Sequence, residues 1–220
     1  MYVLEAIPNG KKRTKVGLEL RQGWFLNSIL LNMETWQNLK DNDLREINKL
    51  DNFLLGKMVG AHSKVPIEFL FLETAALLID FILKSRRVNY LHTILNREKS
   101  ELTHKIYLAQ LNDPNKGDWA GMVEEDMKDI KLSLCSKEIC TMKKAAFKNI
   151  VKKLVKIAAF DKLKEVQTTH TKINTIKYEQ FKLQPYLDSN ILTVEERSLV
   201  FFVRANTLNV QEQSQLQVGL

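Results

Sequence analysis

Apolar residues recur along this chain at spacings of three and four, with almost none of the alternating runs that strands require, so the pattern predicts helices nearly throughout. Eight Gly and four Pro in 220 residues leave few places for helices to break. In VGLELRQGWFLNSILLNMETWQNL, Val16 to Leu39, the side chains of Phe25, Ile29, Met33 and Trp36 fall on one helical face. Leu26 and Leu30 widen that face until most of the helix must be buried, and Trp24 and Trp36 are read as core fillers rather than stacking platforms. Asp41 is placed to cap a second helix whose stripe is Leu44, Ile47, Leu50 and Leu54.

Pro66 and Glu68 mark the first turn of a helical region that runs to about Asn96. Its second part puts Phe81, Val88, Leu91 and Leu95 on one side and turns Arg86 and Arg87 away, which predicts two arginines free to meet a partner. Helices over Glu101–Leu111 and Trp119–Ile130 are separated by NDPNKG, and the longest runs from about Met142 to Val166 with Phe147, Ile150, Leu154, Ile157 and Ala158 inward. Thr193-Val-Glu-Glu196 is a capping box for a last helix that buries Leu199, Val200, Phe202 and Val203. IPNG at Ile7–Gly10 marks a turn, closing either a short hairpin or a loop. The expected fold is all-α, an irregular multi-helix bundle with a short N-terminal hairpin or extended arm. It divides into a helical domain over 1–112, a basic helical domain over 113–207 and a disordered tail over 208–220.

Charge changes this picture, because the net of +7 is unevenly laid out. Lys143 to Tyr186 holds 11 Lys and Arg against 3 Asp and Glu, Phe81 to Asn112 holds 6 against 2, and the stretch between them is acidic. On the longest helix Lys144, Lys148, Lys152 and Lys156 recur every fourth residue, a row that drifts only about 40° per step and stacks ammonium groups about 6 Å apart. Like charges so placed repel, so the row costs helix stability unless an anion lies along it. The expected partner is the phosphate backbone of RNA or DNA, bound without sequence preference; the alternative is a solvated face with a few nearby carboxylates.

No catalytic constellation accompanies the charge. Cys135 and Cys140 are five apart, and His62, His92, His104 and His170 are scattered, so neither metal nor cofactor is expected and both cysteines read as small buried residues. No Gly-rich phosphate loop, G-x-S-x-G or H-E-x-x-H occurs, and no Asp-Asp pair of the kind polymerases use to hold two metal ions. Asp126-Met-Lys128 and Asp129-Ile-Lys131 match the acid-x-Lys triplet of restriction-type nucleases, but without a Pro-Asp partner they read as surface charge. The run Ile67 to Leu83 carries Glu68, Glu73 and Asp80, too much charge for a bilayer span, and the N-terminus lacks the order of a secretory signal. A protein of the cytoplasm or nucleus, with no membrane contact, is expected.

GKKRTKVGLELRQGWFLNSILLNMETW at Gly10–Trp36, NKLDNFLLGKMVGAHSKVPIEFLFLE at Asn48–Glu73, KSRRVNYLHTIL at Lys84–Leu95 and PNKGDW at Pro114–Trp119 form an ordered series. It continues in FKNIVKKLVKIAAFDKL at Phe147–Leu163 and EERSLVFFVRANT at Glu195–Thr207. In order and spacing the series resembles the thumb and post-thumb linker of reverse transcriptases from non-LTR retrotransposons, of the type that carries a restriction-like endonuclease. The resemblance implies a thumb-like domain and a linker domain, with the palm upstream and the zinc knuckle and nuclease downstream belonging to a parent polyprotein. It also implies a catalytically silent piece that grips a duplex by its backbone. It puts Arg21 on the first thumb helix, Arg86 and Arg87 in an Arg-Arg element, and Lys148, Lys152 and Lys153 in a basic helix. Relatives break the helix near Thr74-Ala75-Ala76-Leu77 with Gly and Pro; this chain has neither there, which predicts a helix running straight through. A rival reading of another class is a helical protein-interaction module, or a remnant without function, whose basic faces meet an acidic protein or nothing.

Overall fold

Three-and-four spacing leaves little for a sheet to use. The computed structural model describes residues 13–35, 41–61, 65–112, 118–170, 173–174 and 176–205, and no strand occurs among them. The turn at Ile7–Gly10 with its hairpin alternative, Trp36, His62 and the tail over 208–220 lie outside the described residues. The chain is all-α: α1 Arg13–Leu20, a π turn at Arg21–Phe25, α2 Leu26–Ile29 and a 3-10 turn at Met33–Thr35 come first. Then follow α3 Asp41–Val59, α4 Ile67–Thr74, α5 Ile79–Leu95, α6 Leu102–Asn112, α7 Trp119–Asp129, α8 Ser136–Thr141, α9 Lys144–Thr169 and α10 Val194–Arg204.

The contacts sort the chain into two interleaved units, residues 1–25, 48–76 and 162–220 in one, and 26–47 with 77–161 in the other.

In the first unit Phe69 and Phe71 of α4, Leu55 of α3 and Phe201 of α10 are fully buried, and the Phe69 and Phe201 rings meet at 5.0 Å. Gly60 ends α3 with φ 73°, and a Cβ there would collide with the Ser198 hydroxyl, so only glycine suits the turn. The predicted continuous helix from Pro66 to Asn96 is overturned. Ala75 adopts the left-handed conformation, φ 51°, and closes α4 before the second stretch begins at Ile79. A left-handed alanine costs roughly 1–2 kcal/mol, so the surroundings must hold it. They do so just before the break. The Glu73 carboxylate, fully buried, accepts from Tyr178 Oη and Tyr186 Oη at 2.5 Å each and is bridged by Arg204 Nη2 at 2.8 Å, while the Glu73 carbonyl accepts from Gln184 N at 3.0 Å. Burial first, then the adjoining carboxylate, raises both tyrosines well above their ordinary range, so they stay protonated and donate.

In the second unit Phe81, Val88, Leu91 and Ile94 of α5 pack with Trp119 and Val123 of α7 and with Phe147, Val151, Val155 and Ala159 of α9. Tyr107 of α6 meets Trp119 edge-on at 6.1 Å, and Trp119 Nε1 donates to the Glu34 carbonyl at 2.7 Å. His92 stacks on Phe147 at 5.1 Å, its Nε2 lying 2.9 Å from the Met142 carbonyl, which accounts for a buried histidine without metal chemistry.

Several predicted core positions turn outward. Trp24 is 58% exposed, and burial along α1–α2 concentrates instead on Arg21, Leu26 and Leu30. Leu50 is exposed because α3 turns Asp51, Leu54, Leu55 and Met58 inward, with Asp51 paired to Arg21. Ile157 is exposed on α9, and on α10 the buried row is Arg197 and Phe201, leaving Val203 outside. Cys135 is exposed and Cys140 half-buried; Cys135 begins the short helix α8, which the apolar spacing did not reveal. The Glu138 carboxylate accepts from Cys135 N at 2.7 Å, completing the first turn of α8.

Candidate nucleic-acid interface

Helix α9 presents its lysines as the fourfold spacing requires. Phe147, Val151, Val155 and Ala159 are buried along one side, and Lys144, Lys148, Lys152, Lys153 and Lys156 are all exposed. Among the described residues no carboxylate pairs with any of these five lysines, so the row keeps its mutual repulsion. The neighbouring Lys84 of α5 is different. Burial pulls its pKa down, but Asp129 and Asp80, each 2.8 Å from Nζ, outweigh that and hold it above the ordinary lysine value.

Two of the three arginines expected at a nucleic-acid surface, Arg21 and Arg87, are placed inside. Arg21 donates from Nε and Nη2 to the two oxygens of Asp51 at 2.6 and 2.5 Å, with side-chain exposures of 3% and 0%. Arg87 clasps Asp126 in the same two-pronged way at 2.5 and 2.9 Å. Burial pushes the Asp126 carboxyl up from its ordinary range against the pull of Arg87. Neither arginine is available to a phosphate, which corrects the expectation for both. Arg86 is half-buried and donates to the Leu30 carbonyl at 2.6 Å and to Asn27 Oδ1 at 2.7 Å, tying the end of α2 to α5.

Arg86 nonetheless borders the lysine row. Within the second unit a cleft of about 480 Å³ is lined by Arg86, Asn89, Tyr90 and Thr93 of α5, by Lys144 and Lys148 of α9, and by Asn27, Leu31, Asn32 and Glu34. Cationic Arg86, Lys144 and Lys148 stand there beside amide and hydroxyl groups, a lining that attracts an anion, while the Glu34 carboxylate opposes one. Asn89 and Thr93 were legible in principle, since they follow Arg86 at three and seven residues and share its face. Their meeting with Glu34 and Lys144 depends on tertiary packing, which spacing along the chain does not encode.

No group of three His, Cys, Asp or Glu able to hold a metal ion occurs among the described residues, and none of their helices is long and apolar enough to cross a membrane. Compared with family models, with curated proteins and with solved structures, the chain finds no match.

Proposed function

We propose that this chain is a catalytically silent helical module that binds the phosphate backbone of RNA or DNA, and that it derives from the thumb and linker of a non-LTR retrotransposon reverse transcriptase. The observation that carries the binding reading is the exposed row Lys144, Lys148, Lys152 and Lys156, which has no carboxylate partner among the described residues and ends at the polar cleft beside Arg86. Each phosphate neutralised releases condensed counterions, so affinity falls steeply with salt. Binding of the full chain to a labelled duplex and to a labelled single strand, followed by fluorescence anisotropy over a salt series, tests the reading. A steep fall of log affinity with log salt is expected for both ligands. No binding, or binding indifferent to salt, overturns it. The ancestry is supported by the ordered series of segments and by the helical fold, and a primer-extension assay with Mg²⁺ or Mn²⁺ is expected to show no synthesis above a mock preparation.

The protein-interaction reading draws on one feature of the first unit. A groove of about 410 Å³ lined by Phe53, Gly56, Ala61, Val65, Ile67 and Leu70 carries Phe53 at 59% and Ile67 at 46% exposure. Its association would be far less sensitive to salt than phosphate binding.

A further inference from the structure

The cleft that holds Arg86, Lys144 and Lys148 is also lined by Leu31 and Tyr90, apolar surface that a bare phosphate leaves unused. Leu31 is 65% exposed, and its neighbours set its position: Leu30 is fully buried, Asn32 turns the chain in the left-handed conformation with φ 58°, and Met33 is buried again. Tyr90 is half-buried, and an edge-on contact with Trp119 at 5.7 Å orients its ring. Arg86 is ordered as well, because Nη1 donates to the Leu30 carbonyl at 2.6 Å and Nη2 to Asn27 Oδ1 at 2.7 Å. An ordered guanidinium, an aromatic ring and an exposed leucine therefore share one cleft with two exposed lysines.

Unstacked bases are held on aromatic rings and guanidinium planes while their phosphates go to cations. A duplex offers only its phosphates, because its bases are paired and stacked inside; a single strand offers base and phosphate on every nucleotide. The Glu34 carboxylate opposes a second anion in the cleft and so favours an uncharged base beside the phosphate. The cleft volume of about 480 Å³ lies within the range of roughly 300–1,000 Å³ typical of small-ligand sites, enough for one nucleotide. The occupant is part of a strand rather than a free nucleotide, because exposed lysines continue along α9 at Lys152 and Lys156, where further phosphates can follow. We propose that the cleft receives one unpaired nucleotide of a single-stranded nucleic acid, its base against Tyr90, Leu31 and Arg86 and its phosphate on Lys144 and Lys148. RNA and DNA share this chemistry. The inference rests on the backbone-binding reading and adds a preference for unpaired over paired strands that the lysine row by itself does not confer.

The full chain is titrated over a salt series with a labelled oligothymidylate of about 12 nucleotides, comparable to the span of a single-strand site, and with an abasic strand of the same length and charge. The thymidylate strand should bind at least about fivefold more tightly, the worth of one stacked base, with the same salt slope for both. Leu31→Ser, at an exposed position, should cut that ratio by about half or more and preserve the slope. A strand carrying 5-iodouracil should, on irradiation of the unaltered protein, crosslink at Tyr90 as mapped by mass spectrometry, and a blunt duplex carrying the same base should not. Equal, salt-steep binding of the base-bearing and abasic strands overturns the proposal and leaves backbone binding standing. Crosslinks confined to other residues, or a duplex that crosslinks at Tyr90 as strongly as the strand, overturn it too. Displacement of the strand by poly-glutamate as readily as by oligothymidylate overturns it in favour of an acidic protein segment. An absence of salt-dependent binding to either strand overturns the backbone reading itself, and this proposal with it.

Discussion

The Glu73 cluster of the first unit and the lysine row of the second place charge in opposite ways. Around Glu73 a buried carboxylate is met by two tyrosine hydroxyls and an arginine, so its acceptor capacity is filled internally. Along α9 five lysines stand in solvent without a carboxylate partner among the described residues. The difference lies in the chemistry of the two cations. A guanidinium is planar, always charged and able to clasp both oxygens of a carboxylate, so it can be carried inside. An ammonium on a flexible stem is strongly hydrated and stays at the surface. In this basic chain arginine count is therefore a poor guide to where positive charge is exposed, and lysine periodicity is the better one.

The largest expected effect comes from opening the buried cluster. Glu73→Gln leaves Arg204 without its counter-charge and one tyrosine hydroxyl facing an amide donor, and should destabilise the protein by about 3–5 kcal/mol in urea unfolding. A change below about 1 kcal/mol would mean that the cluster is incidental to the break at Ala75. Next comes the Arg21–Asp51 pair. Arg21→Met alone should cost about 3 kcal/mol, because it strands a fully buried carboxylate, whereas Arg21→Met with Asp51→Leu should recover to within about 1 kcal/mol of the parent. Failure of the double variant to recover would show that the pair sets the rotation of α3 rather than merely satisfying itself.

The fold was legible in the sequence where one periodicity dominated. Helix α9 and the capping box at Thr193 follow their spacing closely, with Thr193 Oγ1 accepting from Glu196 N at 3.2 Å. The misreadings share a cause. Asp51, Glu73 and Arg87 count as polar in any periodic reading and are nonetheless buried, because partners 30 to 131 residues away neutralise them, while buried Arg197 donates to the Leu192 carbonyl five residues before it. Their burial goes with Leu50 standing outside on α3 and takes Arg21 and Arg87 from the surface. The lysine row of the candidate site was legible because it lies on one helix. The cleft was not, because Glu34, Asn89 and Lys144 come together only through packing.

Smaller effects sharpen the contrast. Replacing Lys144, Lys148, Lys152 and Lys156 by glutamine removes three like-charge contacts at helical spacing and keeps helix propensity, so stability should rise by up to about 1 kcal/mol, read as a higher midpoint in thermal unfolding. A marked loss would show that the lysines have structural partners. Least of all, the depressed pKa of Glu138, caused by the Cys135 backbone N–H and then its side chain, should appear only as local fraying of α8. Its contribution is complete above the ordinary carboxylate pKa and is lost as pH falls through the lower folded value. Amide exchange at Cys135 should therefore lose protection on going from about pH 5 to about pH 3, and Glu138→Gln should remove that pH dependence.

The most direct test of the account is the salt slope of duplex binding by the same quadruple glutamine variant. If the row tracks a phosphate backbone, each lysine lost removes up to about one unit from the slope of log affinity against log salt, so the variant should lose several units with its helicity intact. Sequence preference should not change, because phosphate contacts position a strand without reading its bases. A folded quadruple variant with the parent's slope and affinity would contradict the account.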